Sequence, residues 1–157
     1  MLEKLAVAGT IGAGLAIGLL WPITHQTAPS AGPSTADVAI ARSSDGQYYA
    51  DAQVNGRPVR FMIDTGASET ALTEADAEQV GLPIDRSKYE FLGDGASGMV
   101  RGQHVELKSI DVGGIRQRDA KAVIVEGASA SLLGQPFLEK VDEIVIRNGE
   151  MRLKTDG

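Results

Sequence analysis

The sequence lacks cysteine altogether and is poor in histidine and in aromatic residues, which make up 4% of its 157 residues. Without cysteine, disulfides, thiolate metal sites and cysteine nucleophiles are excluded. His25 and His104 alone offer little material for a histidine-based triad or metal centre, and motifs of phosphate-binding loops, zinc proteases and serine hydrolases are absent. We therefore predict neither a metal ion nor a cofactor.

Basic residues are also in the minority. Fifteen Lys and Arg stand against 21 Asp and Glu, for a formal net charge of −6, and no basic cluster occurs. Binding to a phosphate backbone depends on such clusters, so nucleic acid is not an expected partner. The 43% of hydrophobic residues and the 19 glycines indicate one globular domain that is rich in turns and has an aliphatic core.

The longest apolar run, from Leu5 to Ile23, carries no charge and is long enough to cross a membrane as a helix. We interpret residues 1–23 as a transmembrane segment or signal anchor, and a cleaved signal peptide is the alternative. Lys4 precedes the run, whereas no Lys or Arg follows until Arg42. This asymmetry predicts a single pass with the N-terminus in the cytoplasm and the remainder of the chain outside it.

Residues 24–40 are rich in Pro, Ser, Thr and Ala, which predicts an extended linker. Residues 41–157 read as short strands separated by turn residues. Asn55-Gly56 and Asn148-Gly149 predict tight hairpins. Thr73 with Asp76 resembles a capping box and predicts a short helix that ends before Gly81. The domain is therefore predicted to be all-β with one or two short helices.

The chemistry is concentrated in Asp64-Thr65-Gly66, which follows the apolar strand Phe61-Met62-Ile63 and precedes Ala67-Ser68. Such a tripeptide alone is also typical of a strand-ending turn in which the Asp side chain accepts local N–H groups. Its surroundings favour a different interpretation. A short helix, a hairpin tipped by Gly93 to Gly98 and the element Leu132-Leu133-Gly134 follow in that order.

In this order, the segments resemble the retropepsin-like (clan AA) aspartic proteases, specifically the single-domain, membrane-tethered bacterial type, over nearly all of Val54 to Leu153. The resemblance implies one lobe of the acid protease fold, a closed β-barrel, preceded by a transmembrane helix. It also implies an aspartic endopeptidase that acts on proteins or peptides. Together with the charge asymmetry around residues 5–23, the expected location is the inner (cytoplasmic) membrane, with the protease domain in the periplasm or otherwise outside the cell.

An aspartic protease needs two carboxylates that share one proton, and this domain offers a single Asp-Thr-Gly. A homodimer with one Asp64 from each subunit is therefore expected. By resemblance, Thr65 hydrogen-bonds across the dimer axis and Gly66 lets the substrate backbone approach. How the dimer forms stays open at this point. The family commonly dimerises through terminal strands, and Glu150 to Lys154 is the candidate here.

By resemblance, the glycine-tipped hairpin is the flap that closes over the substrate. The substrate-binding residues implied are Ala67, Ser68, Gly95, Ala96, Ser97, Gly98 and Met99, and Leu132, Leu133 and Gly134 are implied to support the catalytic loop from beneath. Two positions depart from the retroviral enzymes. Ser68 and Gln135 stand where those enzymes carry Asp and Arg, so their buried ion-pair network cannot form here in the same way.

Two other classes of function remain open at this point. One is a non-catalytic peptide-binding module of the same fold, anchored to the membrane, and the other is a structural membrane protein that scaffolds a partner. Both would tolerate Asp64→Asn, whereas the protease would not.

Overall fold

The computed structural model describes residues 35–95 and 98–156. The predicted transmembrane segment, residues 1–23, and most of the predicted linker lie outside these residues. In the described part, no helix is both long and apolar enough to span a membrane. Its elements are β1 (Ala36–Ala41), β2 (Tyr49–Val54), β3 (Arg57–Ile63), β4 (Thr70–Thr73), α1 (Glu74–Gln79), a 3-10 turn (Arg86–Lys88), β5 (Glu90–Gly95), β6 (Gly98–Val112), β7 (Ile115–Val125), β8 (Ser131–Leu133), α2 (Gln135–Leu138), β9 (Glu143–Arg147) and β10 (Glu150–Thr155).

Six strands close into a barrel. They are hydrogen-bonded in the order β2-β3-β8-β4-β7-β6, and β6 returns to β2 through the pairs Gln53–Asp111 and Val54–Ile110. Strand β5 pairs only with the first part of β6 among the described strands, so the β5–β6 hairpin extends from the barrel wall. The prediction of an all-β closed barrel with short helices is confirmed.

Residues with particular local preferences account for two tight hairpin turns and for the start of α1. Asn55 and Gly56 have φ values of 52° and 79°, and Asn148 and Gly149 have 52° and 77°. A type I′ turn requires a left-handed conformation at both central residues, which Asn and Gly tolerate best. The predicted hairpins are therefore present. Helix α1 also begins as predicted, because the Thr73 side chain accepts a hydrogen bond from the Asp76 N–H at 3.0 Å.

The core is aliphatic with two phenylalanines. It is shared by the barrel strands and α2, and the residues buried completely at its centre include Phe61, Leu72, Ile124, Leu133 and Phe137. Strand β2 alternates buried and exposed side chains, which is the pattern of a sheet with one face on the core. Branched aliphatic side chains therefore make up most of the buried core.

Strands β1, β10 and β9 form a second sheet, in that order. Strand β1 begins at Ala36, so the end of the segment 24–40 that was predicted as linker forms a strand. The reason is nonlocal, because Val38 and Ile40 are paired with Leu153 and Met151 of β10. Ile40, Met151 and Leu153 are buried in the same core as the barrel residues.

Candidate active site

Asp64 lies where β3 leaves the barrel wall. Strand β3 runs parallel to β8 with Ile63 beside Leu133, and the Asp64 N–H donates to the Leu133 carbonyl at 3.1 Å. This bond continues the ladder by one residue beyond the strand. The backbone that carries the carboxylate is therefore held by the apolar strand that lies next to it.

Residues 64–69, called the Asp64 loop here, connect β3 to β4 around the end of β8. Strand β8 lies between the two, because it pairs with β3 on one side and with β4, through Ala71–Leu132, on the other. Gln135 bonds the loop twice after β8 ends. Its N–H donates to the Ala67 carbonyl at 2.9 Å, and its side-chain amide donates to the Thr65 carbonyl.

Gly134 is required by a close approach of two backbones. A Cβ at this position would lie 2.2 Å from the carbonyl oxygen of Glu69 and 2.8 Å from that of Ala67. Real Cβ atoms do not approach backbone oxygens so closely, and only glycine leaves the space. Buried Leu133 and Gly134 thus contact the Asp64 loop, and half-buried Leu132 lies between β3 and β4.

The Asp64 carboxylate is half-buried and bonded to its own loop. Its Oδ1 atom accepts the Gly66 N–H at 2.8 Å, and a Cβ on Gly66 would lie 3.3 Å from that same oxygen. Thr65, Gly66 and Ser68 are exposed, and Ala67 is half-buried. The local bond is the one that a simple strand-ending turn would also have, but the exposure of the neighbouring residues leaves this face of the loop accessible.

The β5–β6 hairpin carries the other predicted substrate contacts. Its last pair is Gly95–Gly98, and Ala96 and Ser97 lie outside the described residues. Met99 is 71% exposed and Phe91 on the facing strand is 56% exposed. Large apolar side chains that are this accessible are available for contacts with another molecule.

Sequence reasoning missed a polar cluster at the base of this hairpin. His104 on β6 lies 3.6 Å from the Glu90 carboxylate on β5 and 4.0 Å from that of Glu69, the last residue of the Asp64 loop. The three residues are far apart in sequence and meet only through the pairing of β6 with its neighbours. In the part of the chain that the structure describes, no three His, Asp or Glu side chains are grouped as a metal ion would require.

Tyr89 anchors the start of the hairpin to α1. Its buried hydroxyl donates to Glu74 Oε1 at 2.7 Å, and Arg86 donates to both oxygens of the same carboxylate. Burial and the bond to Glu74 both disfavour the phenolate, which raises the pKa of Tyr89 to about 12.

We expect Tyr89→Phe to lower the free energy of unfolding by about 1 kcal/mol at neutral pH, since one net hydrogen bond is lost. The raised pKa of Tyr89 also has a consequence at alkaline pH. Above the unfolded-state pKa of about 10 the unfolded chain ionises first, so the Tyr89 contribution is present below this pH and is lost as the pH rises towards 12. Urea unfolding of both chains along this range measures the difference. If the difference in the free energy of unfolding between the two chains stayed constant as the pH rises, the role of Tyr89 would be contradicted.

Sequence comparisons identify a matching protein family and two relatives. A family model described as gag-polyprotein putative aspartyl protease matches residues 50–140. "Uncharacterized protein RP867" of Rickettsia prowazekii (strain Madrid E) is 36% identical over 104 residues, which are 66% of this chain and 45% of the relative. "Uncharacterized protein in cobV 5′ region" of Sinorhizobium sp is 31% identical over 120 residues, 75% of this chain and 52% of the relative. The chain thus spans about half the length of the curated relatives that it matches.

Two solved structures are also similar. The crystal structure of a retropepsin-like aspartic protease from Rickettsia conorii matches with a TM-score of 0.65 and 30% identity, over 78% of this chain and 93% of that one. The EIAV protease complexed with the inhibitor HBY-793 matches with a TM-score of 0.50 and 17% identity, over 62% of this chain and 89% of that one. At this lower identity, the second match shows the shared fold alone.

Proposed function

Because this chain belongs to the gag-polyprotein putative aspartyl protease family and is retropepsin-like, we propose that it is an aspartic endopeptidase that works as a homodimer. One Asp64 from each subunit would form the catalytic pair. The observation that carries the proposal is the placement of Asp64 at the end of β3, beside the parallel strand β8, on a loop that Leu133 and Gln135 hold by hydrogen bonds while several of its residues are exposed.

The chemistry follows from two carboxylates at close range. Their mutual repulsion keeps one of them protonated, so the ionised carboxylate removes a proton from a water molecule while the protonated one donates to the peptide carbonyl oxygen. The water oxygen attacks the carbonyl carbon, and the peptide C–N bond then breaks as the amine takes up a proton. Each described barrel contains one Asp64 loop, so the second carboxylate would come from a second chain.

The exposed positions around the loop fit an extended peptide. We assign Thr65 to a contact across the dimer axis and Gly66 to the approach of the substrate backbone. Ala67 and Ser68 on one side and the hairpin tip, Gly95 to Met99 with Ala96 and Ser97, on the other would enclose the peptide. Because Met99 and Phe91 are apolar and exposed, we expect a preference for apolar side chains near the cleaved bond.

The location proposed for this activity rests on the sequence. Residues 1–23 would anchor the chain in the inner membrane, and residues 24–35 would hold the folded domain away from it on the periplasmic side. Protease added to spheroplasts should therefore digest the domain, and a domain that is protected until the membrane is lysed would contradict this location.

Incubation of the full chain with an unstructured protein across roughly pH 4 to 8 tests the activity, with new termini mapped by mass spectrometry. We expect cleavage between residues of which at least one is apolar. If neither the full chain nor two chains joined covalently as a dimer produce new termini, the endopeptidase is contradicted. Peptide binding without cleavage would then identify the binding module.

A further inference from the structure

A second exposed apolar region lies on β9, in the sheet that β9 forms with β10 and β1. Ile144 and Ile146 are 38% and 60% exposed. They are paired with Leu153 and Met151, which are buried. Directly paired residues of antiparallel strands project to the same face of a sheet. The apolar inner face of this sheet therefore continues outward to the exposed side chains of Ile144 and Ile146.

The backbone of β9 is also unpaired on that edge. Among the described strands, β9 pairs only with β10. The type I′ turn at Asn148-Gly149 closes on a hydrogen-bonded pair, Arg147–Glu150, so Glu143, Val145 and Arg147 direct their backbone groups towards β10. The N–H and C=O groups of Ile144 and Ile146 point outward instead. Such an edge is a template for a further strand.

The sequence of β9, Glu-Ile-Val-Ile-Arg, is complementary to itself. In an antiparallel pair with a two-fold axis at Val145, Glu143 lies opposite Arg147 of the second copy, and Ile144 lies opposite Ile146. Opposite charges in directly paired positions are favourable, and like charges are avoided at both ends. In this register the outward N–H and C=O groups of Ile144 face those of Ile146 of the second copy, so these two residues form hydrogen-bonded pairs. The two Val145 residues then form a non-hydrogen-bonded pair, in which the Cα atoms lie closer together.

We propose that β9 pairs with β9 of a second copy, which joins the two three-stranded sheets into one of six strands. This inference rests on the proposed function, because an active site that uses Asp64 from two copies requires an interface between them. It also replaces an expectation from the sequence. Glu150 to Lys154 was the candidate dimer strand, but β10 is paired with β1 on one side and with β9 on the other.

The other edge of the same sheet provides a matched comparison. On β1, Ala39 lies in the same cross-strand row as Val145, since both are paired with Arg152. Strand β1 exposes alanines and Asp37 but no large apolar side chain. If copies of the chain associated through sheet edges without selectivity, β1 and β9 would be used equally. The proposed contact uses β9 alone.

Disulfide trapping of the full chain in mild detergent tests the pairing, because the chain has no cysteine of its own. A non-hydrogen-bonded pair has a Cα–Cα distance of about 4.5 Å, which lies within the range that a disulfide spans. Under mild oxidation, Val145→Cys should form a covalent dimer at least about ten times faster than Ala39→Cys. Equal rates for the two variants would overturn the proposal.

Dimer dissociation measured by analytical ultracentrifugation provides the second test. Ile146→Asp changes an exposed side chain, so the monomer should fold, but the dissociation constant should rise about tenfold or more, whereas Ala39→Asp should leave it unchanged. Arg147→Glu should also weaken the dimer, because it would place a second carboxylate opposite Glu143 of the other copy. An unchanged dissociation constant in Ile146→Asp would contradict the interface.

The interface and the activity can fail separately. Val145→Cys should cross-link equally well in a chain that also carries Asp64→Asn. A cross-linked but inactive chain with Asp64 intact would overturn the endopeptidase and leave the interface standing. An active peptidase that does not cross-link at Val145 would overturn the interface alone.

Discussion

Asp64→Asn is expected to lower peptide hydrolysis by at least about a thousandfold while the chain stays folded. An amide cannot ionise to activate water, and it cannot share a proton with a second carboxylate. The substitution should nevertheless preserve the loop, because the Asn side chain keeps the oxygen that accepts the Gly66 N–H. Measurement of kcat/KM beside thermal unfolding separates loss of chemistry from loss of structure.

Asp119→Asn is the matched control for that substitution. Asp119 is exposed and has a φ of 49°, a left-handed conformation that Asn adopts as readily as Asp. We expect its kcat/KM and its unfolding temperature to match those of the unsubstituted chain. If Asp64→Asn retained activity similar to that of Asp119→Asn, Asp64 would not be a catalytic residue.

The second large effect is expected at Gly134. In Gly134→Ala, the new methyl group would meet the carbonyl oxygens of Glu69 and Ala67, which are backbone atoms and cannot rotate away. We expect the free energy of unfolding to fall by about 3 kcal/mol. The Asp64 loop must also move, and a displacement of about 1 Å at reacting groups lowers the rate about a hundredfold. Urea unfolding and kcat per folded chain measure the two effects.

Gly81→Ala is the control for Gly134→Ala. It separates the effect of the backbone contact at Gly134 from the effect of replacing a glycine in general. Gly81 has a φ of 80° and open space where a Cβ would stand. Its replacement should cost about 1 to 2 kcal/mol of backbone strain and leave kcat per folded chain unchanged. If Gly134→Ala retained full kcat per folded chain, the close contact would not position the Asp64 loop.

Features that depend on a few adjacent residues could be predicted from the sequence. The two Asn-Gly turns and the cap at Thr73 were found because positive φ values and a side-chain acceptor for a helix N–H are requirements of single residues. The Asp64 motif and Leu132-Leu133-Gly134 were found as a pair by resemblance. The structure adds why the glycine is needed, which is a distance between two backbones far apart in sequence.

Features that depend on strand order could not be predicted in the same way. Strand β1 was missed because alanines and a charge surround Val38 and Ile40, and their burial depends on β10 at the opposite end of the described chain. The edge position of β9 likewise follows from which neighbours β10 has. Gln135 was recognised as a departure from the retroviral pattern, but its bond to the Thr65 carbonyl required the fold.

The central claim, that one active site needs two Asp64 side chains, is tested most directly by mixing subunits. Full chains with and without Asp64→Asn would be unfolded together in equal amounts, refolded and assayed at constant total chain. If both subunits must supply Asp64, the activity should follow the square of the intact fraction and fall to about a quarter of that of the intact chain. Activity proportional to the intact fraction would show that each chain cleaves peptides alone and would contradict the shared site.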